Sequence, residues 1–247
     1  MSDDSHNNPD PLRTVRLLWD PPPGPARGPR RSLNIEDIVA AAVQLADTRG
    51  TASLSMRQVA AAVGCGTMSL YTYISSKAEL LEFMVDHAYA ELPAPDGNGP
   101  WQDNLRFLAH EHFQLCLRHP WILESNLVRL SLGPNFLTAQ EHLYAQLEQA
   151  AMTPENIVRS ARLLTDYVHG AARSTLLDTE AAENMGTDPK GFQHARDEFW
   201  NRWFDLDRFP VHTRLWTFGA LTAETDTFSF GLDRLLQGLT DLSKTSS

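Results

Sequence analysis

Residues 54–77 read LSMRQVAAAVGCGTMSLYTYISSK, and this stretch decides the fold. Ser55-x-x-Gln58 has the residues of a capping box, in which a hydroxyl and an amide satisfy each other's backbone N–H at a helix start. The spacing predicts a short helix over 55–63, a glycine turn at Gly64-Cys65-Gly66, and a second short helix over 67–73. Gly64 takes a left-handed conformation at little cost, as a tight interhelical turn requires. Met56, Val59, Ala60 and Val63 share one face of the first helix, and Leu70 and Ile74 share one face of the second. The small residues Ala60, Ala61 and Ala62 suit a close crossing. The pattern is that of a helix-turn-helix.

The remaining face carries chemistry suited to a DNA groove. Thr67, Met68, Ser69 and Thr72 are small or unbranched, so the second helix could sit deep in a major groove. Their hydroxyls can meet base edges or phosphates and their methyl groups thymine methyls. Arg57 can span a guanine edge with two hydrogen bonds. Tyr71 and Tyr73 can donate to phosphates, Ser55 stands at a helix start that favours an anion, and Lys77 is a further phosphate contact. The same shape also arises as plain packing, with the tyrosines as half-buried core.

Outward from this stretch the punctuation is helical. Asn34 with Asp37 three residues on opens a helix that ends at Gly50, and Ser76-x-x-Glu79, read as a second capping box, opens another that runs to about Leu92. Residues 93–100, PAPDGNGP, break the chain. Further helices are expected near 101–118, 120–130, 134–151, 154–183, 190–204 and 212–242, the last interrupted. No stretch alternates with period two, so the class is all-α: a helix-turn-helix head over 32–92 and a larger helical body over 101–247. Residues 1–31 form a Pro/Gly-rich basic arm. Its Arg13, Arg16, Arg27, Arg30 and Arg31 could enter a minor groove or simply solubilise the chain, while Leu17, Leu18 and Trp19 suit docking on the protein.

The formal net charge of −10 argues against a nucleic-acid partner until it is divided. Residues 11–77 carry +4 and residues 78–247 carry −11, so a basic head rides on an acidic body. Hydrophobic residues at 42% and charged residues at 21% fit a globular chain. No apolar run approaches the roughly 20 residues of a membrane helix, and the polar start MSDDSHNNPD has no secretory pattern, so the expected place is the cytoplasm. Cys65 and Cys116 read as free thiols there, a single disulfide being the alternative. No CxxC or Cys/His spacing suggests zinc, and His110-x-His112 does not share a helix face. With no nucleophile elbow, phosphate loop or HExxH motif, neither enzyme activity nor a cofactor or metal is expected.

The segment Leu70-Tyr71-Thr72-Tyr73-Ile74-Ser75-Ser76-Lys77, followed by Glu79-Leu80-Leu81, resembles the closing motif of the TetR family of repressors, with the likeness covering residues 34–92. The resemblance implies that Arg57, Thr67, Met68, Ser69 and Tyr73 contact bases or adjacent phosphates and that Tyr71 and Lys77 grip phosphates. Leu132-Gly133-Pro134 is similar to a step in the tetracycline-repressor branch, where a preceding histidine holds drug-bound magnesium. Ser131 stands there in this chain, which argues against a metal-chelated tetracycline.

In the body, Ile157, Val158, Ala161, Leu164, Val168, Ala172 and Thr175 form one stripe, and Phe228, Leu232, Leu235, Leu236, Leu239 and Leu242 another. Either they pair across a two-fold axis, which the resemblance implies, or they face the monomer's own core. A dimer would set two heads about 34–36 Å apart on a near-palindromic double-stranded operator. Phe107, His110, Phe113, Trp121, Leu127, Leu143, Tyr167 and Arg173 are the candidate lining of a pocket for a small-molecule effector. Phe199, Trp200, Trp203 and Phe204 could cover its mouth or pack between subunits. The expected function is an effector-released repressor; an architectural DNA binder without effector, or an activator, is the alternative.

Overall fold

The computed structural model describes residues 12–20, 33–124, 131–184, 202–221 and 226–245. The described residues form ten α-helices and no strand: α1 (Arg13–Trp19), α2 (Ile35–Ser53), α3 (Met56–Ala62), α4 (Thr67–Tyr73), α5 (Lys77–Tyr89), α6 (Trp101–Arg118), α7 (Pro134–Gln149), α8 (Pro154–Asn184), α9 (Pro210–Thr217) and α10 (Thr227–Thr245). A 3-10 turn at Pro120–Ile122 stands where the start of a helix over 120–130 is expected, and residues 125–130 lie outside the description. The expected helix over 190–204, with Phe199 and Trp200, falls mostly outside it too.

Local signals set the head. The Asn34 side chain accepts the Asp37 amide at 2.7 Å and starts α2. Gly50 breaks that helix with φ 70°, one further turn continuing to Ser53. Ser55 and Gln58 form the full capping box of α3. Ser76 caps α5 by accepting the Glu79 amide at 3.1 Å, but the reciprocal half of the expected box is absent. The Glu79 carboxylate instead accepts from the Ser75 amide and hydroxyl and pairs with Arg13.

Arg13 shows what the arm does. Helix α1 packs Leu17 and Leu18 on the head core, and Trp19 donates its indole N–H to the Leu132 carbonyl at 2.8 Å. Arg13 also donates to the Tyr73 carbonyl, closing the C-terminal end of α4. Part of the arm is thus a docked strap, and Arg13 is committed to the protein. Arg27, Arg30 and Arg31 lie outside the described residues. Glu79 is 5% exposed, so losing a charged partner is costly, although Ser75 and Thr14 still donate to it. Replacing Arg13 by Ala should lower unfolding free energy by about 1–2 kcal/mol in denaturant titration.

The chain breaks at 93–100, yet the core does not. Leu115 of α6, Trp121 and Ile122 of the 3-10 turn, and Phe136 of α7 belong to the same buried cluster as Ile38, Leu80 and Met84 of the head. A second cluster fills the body between α6, α8 and α10. It includes Ala161, Leu164, Val168 and Ala172 of α8 with Phe228, Leu232, Leu236 and Leu239 of α10. Most of the two stripes offered as a dimer seam therefore face the monomer's own core. Val158 is 58% exposed and Leu242 36%, and both stay out of it. Arg106 of α6 ties α10 down through Asp233 at 3.0 Å, and Tyr167 of α8 donates to the Phe228 carbonyl at 2.8 Å.

Candidate functional site

Helix α4 divides cleanly. Leu70 and Ile74 are fully buried, one turn apart, and anchor the helix to the head core. Met68 is 80% exposed, Tyr71 is 42% exposed, and Ser69 and Thr72 are exposed beside them. Arg57 is exposed on α3, while Thr67 is half-buried. Gly64, with φ 73°, makes the turn that sets the two helices against each other. Ala60 is buried at the crossing, but Ala61 and Ala62 face outward, so only one of the three alanines serves close approach.

Three predicted contacts have prior engagements. The Ser55 hydroxyl donates to Gln58 Oε1 at 2.7 Å, and its own N–H donates to the same oxygen at 2.9 Å, so Ser55 positions α3 rather than presenting free donors. Tyr73 packs half-buried on the head core. Lys77 Nζ donates to the Thr51 carbonyl at 2.7 Å, pinning α5 to the end of α2 and leaving two ammonium N–H groups for other acceptors. Replacing Lys77 by Ala should cost about 1 kcal/mol of stability. It should also reduce the salt slope of DNA binding by about 1 for every sequence, read by fluorescence titration at several salt concentrations. Loss of stability with an unchanged slope would assign Lys77 to the Thr51 bond alone.

The body holds a cavity of about 650 Å³ between the end of α5 and helices α6, α7 and α8. Tyr89, Leu105, Leu108, Ile122, Phe136 and Leu143 supply apolar wall; His112, Gln140, His142, Arg162, Asp166, His169 and Arg173 supply polar groups. Of the predicted lining, Leu143 and Arg173 are there. Phe113 and Tyr167 stack on Phe228 in the body core, and His110 stands edge-on to the same ring. Trp121 is buried in the head core with its indole on Asp47, and Phe107 is 38% exposed away from the cavity. Leu127 lies outside the described residues. The misplaced aromatics fit helical spacing as well as the true lining does, and which face meets the cavity depends on α8.

Sequence reasoning missed the polar heart of this cavity. His112 Nε2 lies 3.1 Å from the Tyr89 hydroxyl and 3.2 Å from His169 Nε2. Burial, with His169 opposite, pushes the His112 pKa down to about 3, so the ring is neutral near pH 7. Burial pushes the Cys116 thiol up to about 12, partly opposed by Arg173. His112 and Cys116 stand four residues apart, a spacing that was visible; His169 required the fold.

Helix α5 joins the two sites. At its start Glu79 holds the end of α4 through Ser75 and Arg13; at its end Tyr89 touches His112 and stacks edge-on to Phe136 in the cavity wall. Between them Asp86, 3% exposed, caps α7. Its Oδ1 accepts the Asn135 and Phe136 amides at 2.9 and 3.0 Å, and its Oδ2 accepts the Asn135 side chain at 2.9 Å. Ser131 is buried beside this cap, at the position where the family resemblance places a histidine.

A helix-turn-helix with an exposed reading face, sharing a buried core with a helical body that holds an open cavity, defines a DNA-binding regulator. The comparisons agree. Residues 38–84 match the model of bacterial regulatory proteins of the tetR family, and residues 92–242 match the tetracyclin repressor-like C-terminal domain. The HTH-type transcriptional repressor DrrR1 of Streptomyces coeruleorubidus is 40% identical over 234 residues, covering 93% of this chain and 86% of that one. A TetR-type transcriptional regulator of Streptomyces coelicolor superposes with TM-score 0.69 at 25% identity, covering 86% of this chain and 100% of that one. ActR of the same organism, solved in complex with actinorhodin, superposes with TM-score 0.66 at 24% identity, covering 86% of this chain and 99% of that one. The chain belongs to the TetR family of transcriptional regulators. Like other members it is a DNA-binding transcription factor and not an enzyme. Among the described residues no helix is long and apolar enough to cross a membrane.

Proposed function

We propose that the protein is a homodimeric repressor that binds a near-palindromic operator and is released when a drug-sized, amphipathic molecule fills the body cavity. The observation that carries this reading is the continuity of α5. One 13-residue helix reaches from the hydrogen bonds that hold the recognition helix to the ring that faces the cavity. A ligand that favours one setting of α5 biases the spacing of the heads in the same measure. The cavity speaks against an architectural binder, whose body core would be filled. A relative named as a repressor supports repression over activation. A neighbour solved with actinorhodin supports an aromatic effector.

For the dimer, the outer faces of α8 and α10 are better placed than their apolar stripes, most of which are buried in the monomer core. Leu163, Gly170 and Leu177 recur at heptad spacing on α8, the two leucines 47% and 57% exposed. Phe230, 68% exposed, shares a face of α10 with Arg234 and Gly238. Large exposed apolar groups beside glycines let two helix pairs approach closely across a two-fold axis.

Footprinting on DNA flanking the protein's own gene should protect a near-palindrome at moderate salt, and actinorhodin is the first effector to add. Absence of a protected palindrome overturns operator binding. Protection insensitive to actinorhodin and to related aromatic compounds overturns the effector assignment. Sedimentation of Phe230→Asp should show monomers where the wild-type chain is dimeric.

A further inference from the structure

We propose that His112, Cys116 and His169 form a binding site for one borderline-soft transition-metal cation, of the zinc(II) class, in the wall of the body cavity. His112 and Cys116 lie one turn apart on α6 and so share a face; His169 reaches them from α8. Their ligand atoms all lie within 4.8 Å of one another. The two Nε2 atoms are 3.2 Å apart. Two imidazole nitrogens bonded to tetrahedral zinc stand about 3.3 Å apart, and a nitrogen and a thiolate sulfur about 3.6 Å. The imidazole pair therefore already has the separation the metal needs.

The donor types narrow the cation. One sulfur and two imidazoles favour zinc or copper(I) over magnesium or calcium, which take oxygen ligands. This is a different chemistry from a magnesium ion carried in by a chelating drug. Three protein ligands leave a fourth position toward the cavity, as in open zinc sites. As the metal–sulfur bond forms, the Cys116 proton leaves to solvent. The cation also takes the nitrogen on which the Tyr89 hydroxyl rests, so occupancy is felt at α5.

Cobalt(II) added to the metal-free full-length protein tests the site without DNA or effector, so its failure leaves operator and effector binding untouched. One equivalent per chain should give a near-ultraviolet sulfur-to-cobalt charge-transfer band with visible bands of tetrahedral intensity. Zinc should then bleach them. Cys116→Ser should abolish the charge-transfer band while Cys65→Ser keeps it. His169→Ala, half-buried and so tolerant of truncation, should weaken cobalt binding at least tenfold with the helical circular dichroism unchanged. No band at one equivalent, or a band that survives Cys116→Ser, overturns the proposal.

Discussion

Asp86→Ala should lower unfolding free energy by about 3 kcal/mol, because three hydrogen bonds to one carboxylate are lost and amides at the start of α7 lose their partner. The Phe136 amide among them is buried. Gly133→Ala attacks the same cap from the other side. A Cβ there would stand 2.1 Å from Asp86 Oδ1 and 2.7 Å from Asp86 Cβ, which no rotation of a side-chain tip relieves. Each single variant should lose most of the cap, so the double variant should be little worse than either. Additive losses in a denaturant double-mutant cycle would separate the two residues. The pH dependence has a definite sign. Burial holds the Asp86 carboxyl above its ordinary value despite the opposing Phe136 and Asn135 amides. The folded chain then binds more protons than the unfolded chain between the two values. The stability gap between wild type and Asp86→Ala should be largest at acid pH and narrow as pH rises through the folded value. Since Asp86 is the hydrogen-bonded link from α5 to α7, beside the Tyr89–Phe136 ring contact, the same variants should blunt effector release.

Met68→Glu should reduce operator affinity by roughly a hundredfold or more, because a carboxylate thrust toward phosphates and base acceptors costs several kcal/mol. The side chain is 80% exposed on the second residue of α4, so nothing in the core is disturbed. An acid in the first turn of a helix is favourable, so thermal stability should hold or rise slightly. Loss of binding with unchanged melting would place Met68 at the DNA face. Unchanged binding would remove α4 from the groove.

Legibility followed range. The caps at Asn34 and Ser55 and the turn at Gly64 lie within a few residues of what they interact with, the pair Leu70 and Ile74 is marked as buried by its own four-residue spacing, and each stands as expected. Glu79 was readable as a helix-start residue but not as the partner of Arg13, 66 positions away. In the body the helices were legible and their contacts were not. Phe113, Tyr167 and Leu232 have the spacing of a dimer seam or a pocket wall, and they became core because α6, α8 and α10 close on one another. Helical periodicity tells that a face is buried, not which helix buries it.

The sequence by itself determined an all-helical chain with a DNA-reading head, since helix starts, the glycine turn and the two faces of α4 are matters of neighbouring residues. Only the tertiary structure decided where the cavity lies, that α1 is a strap, that Asp86 locks α7 to α5, and that His112, Cys116 and His169 meet. Those depend on groups brought together across 49 or more positions, as Asn135 to Asp86 (49), Phe136 to Asp86 (50) and His169 to His112 (57) show, and chain-distant pairing leaves no local trace.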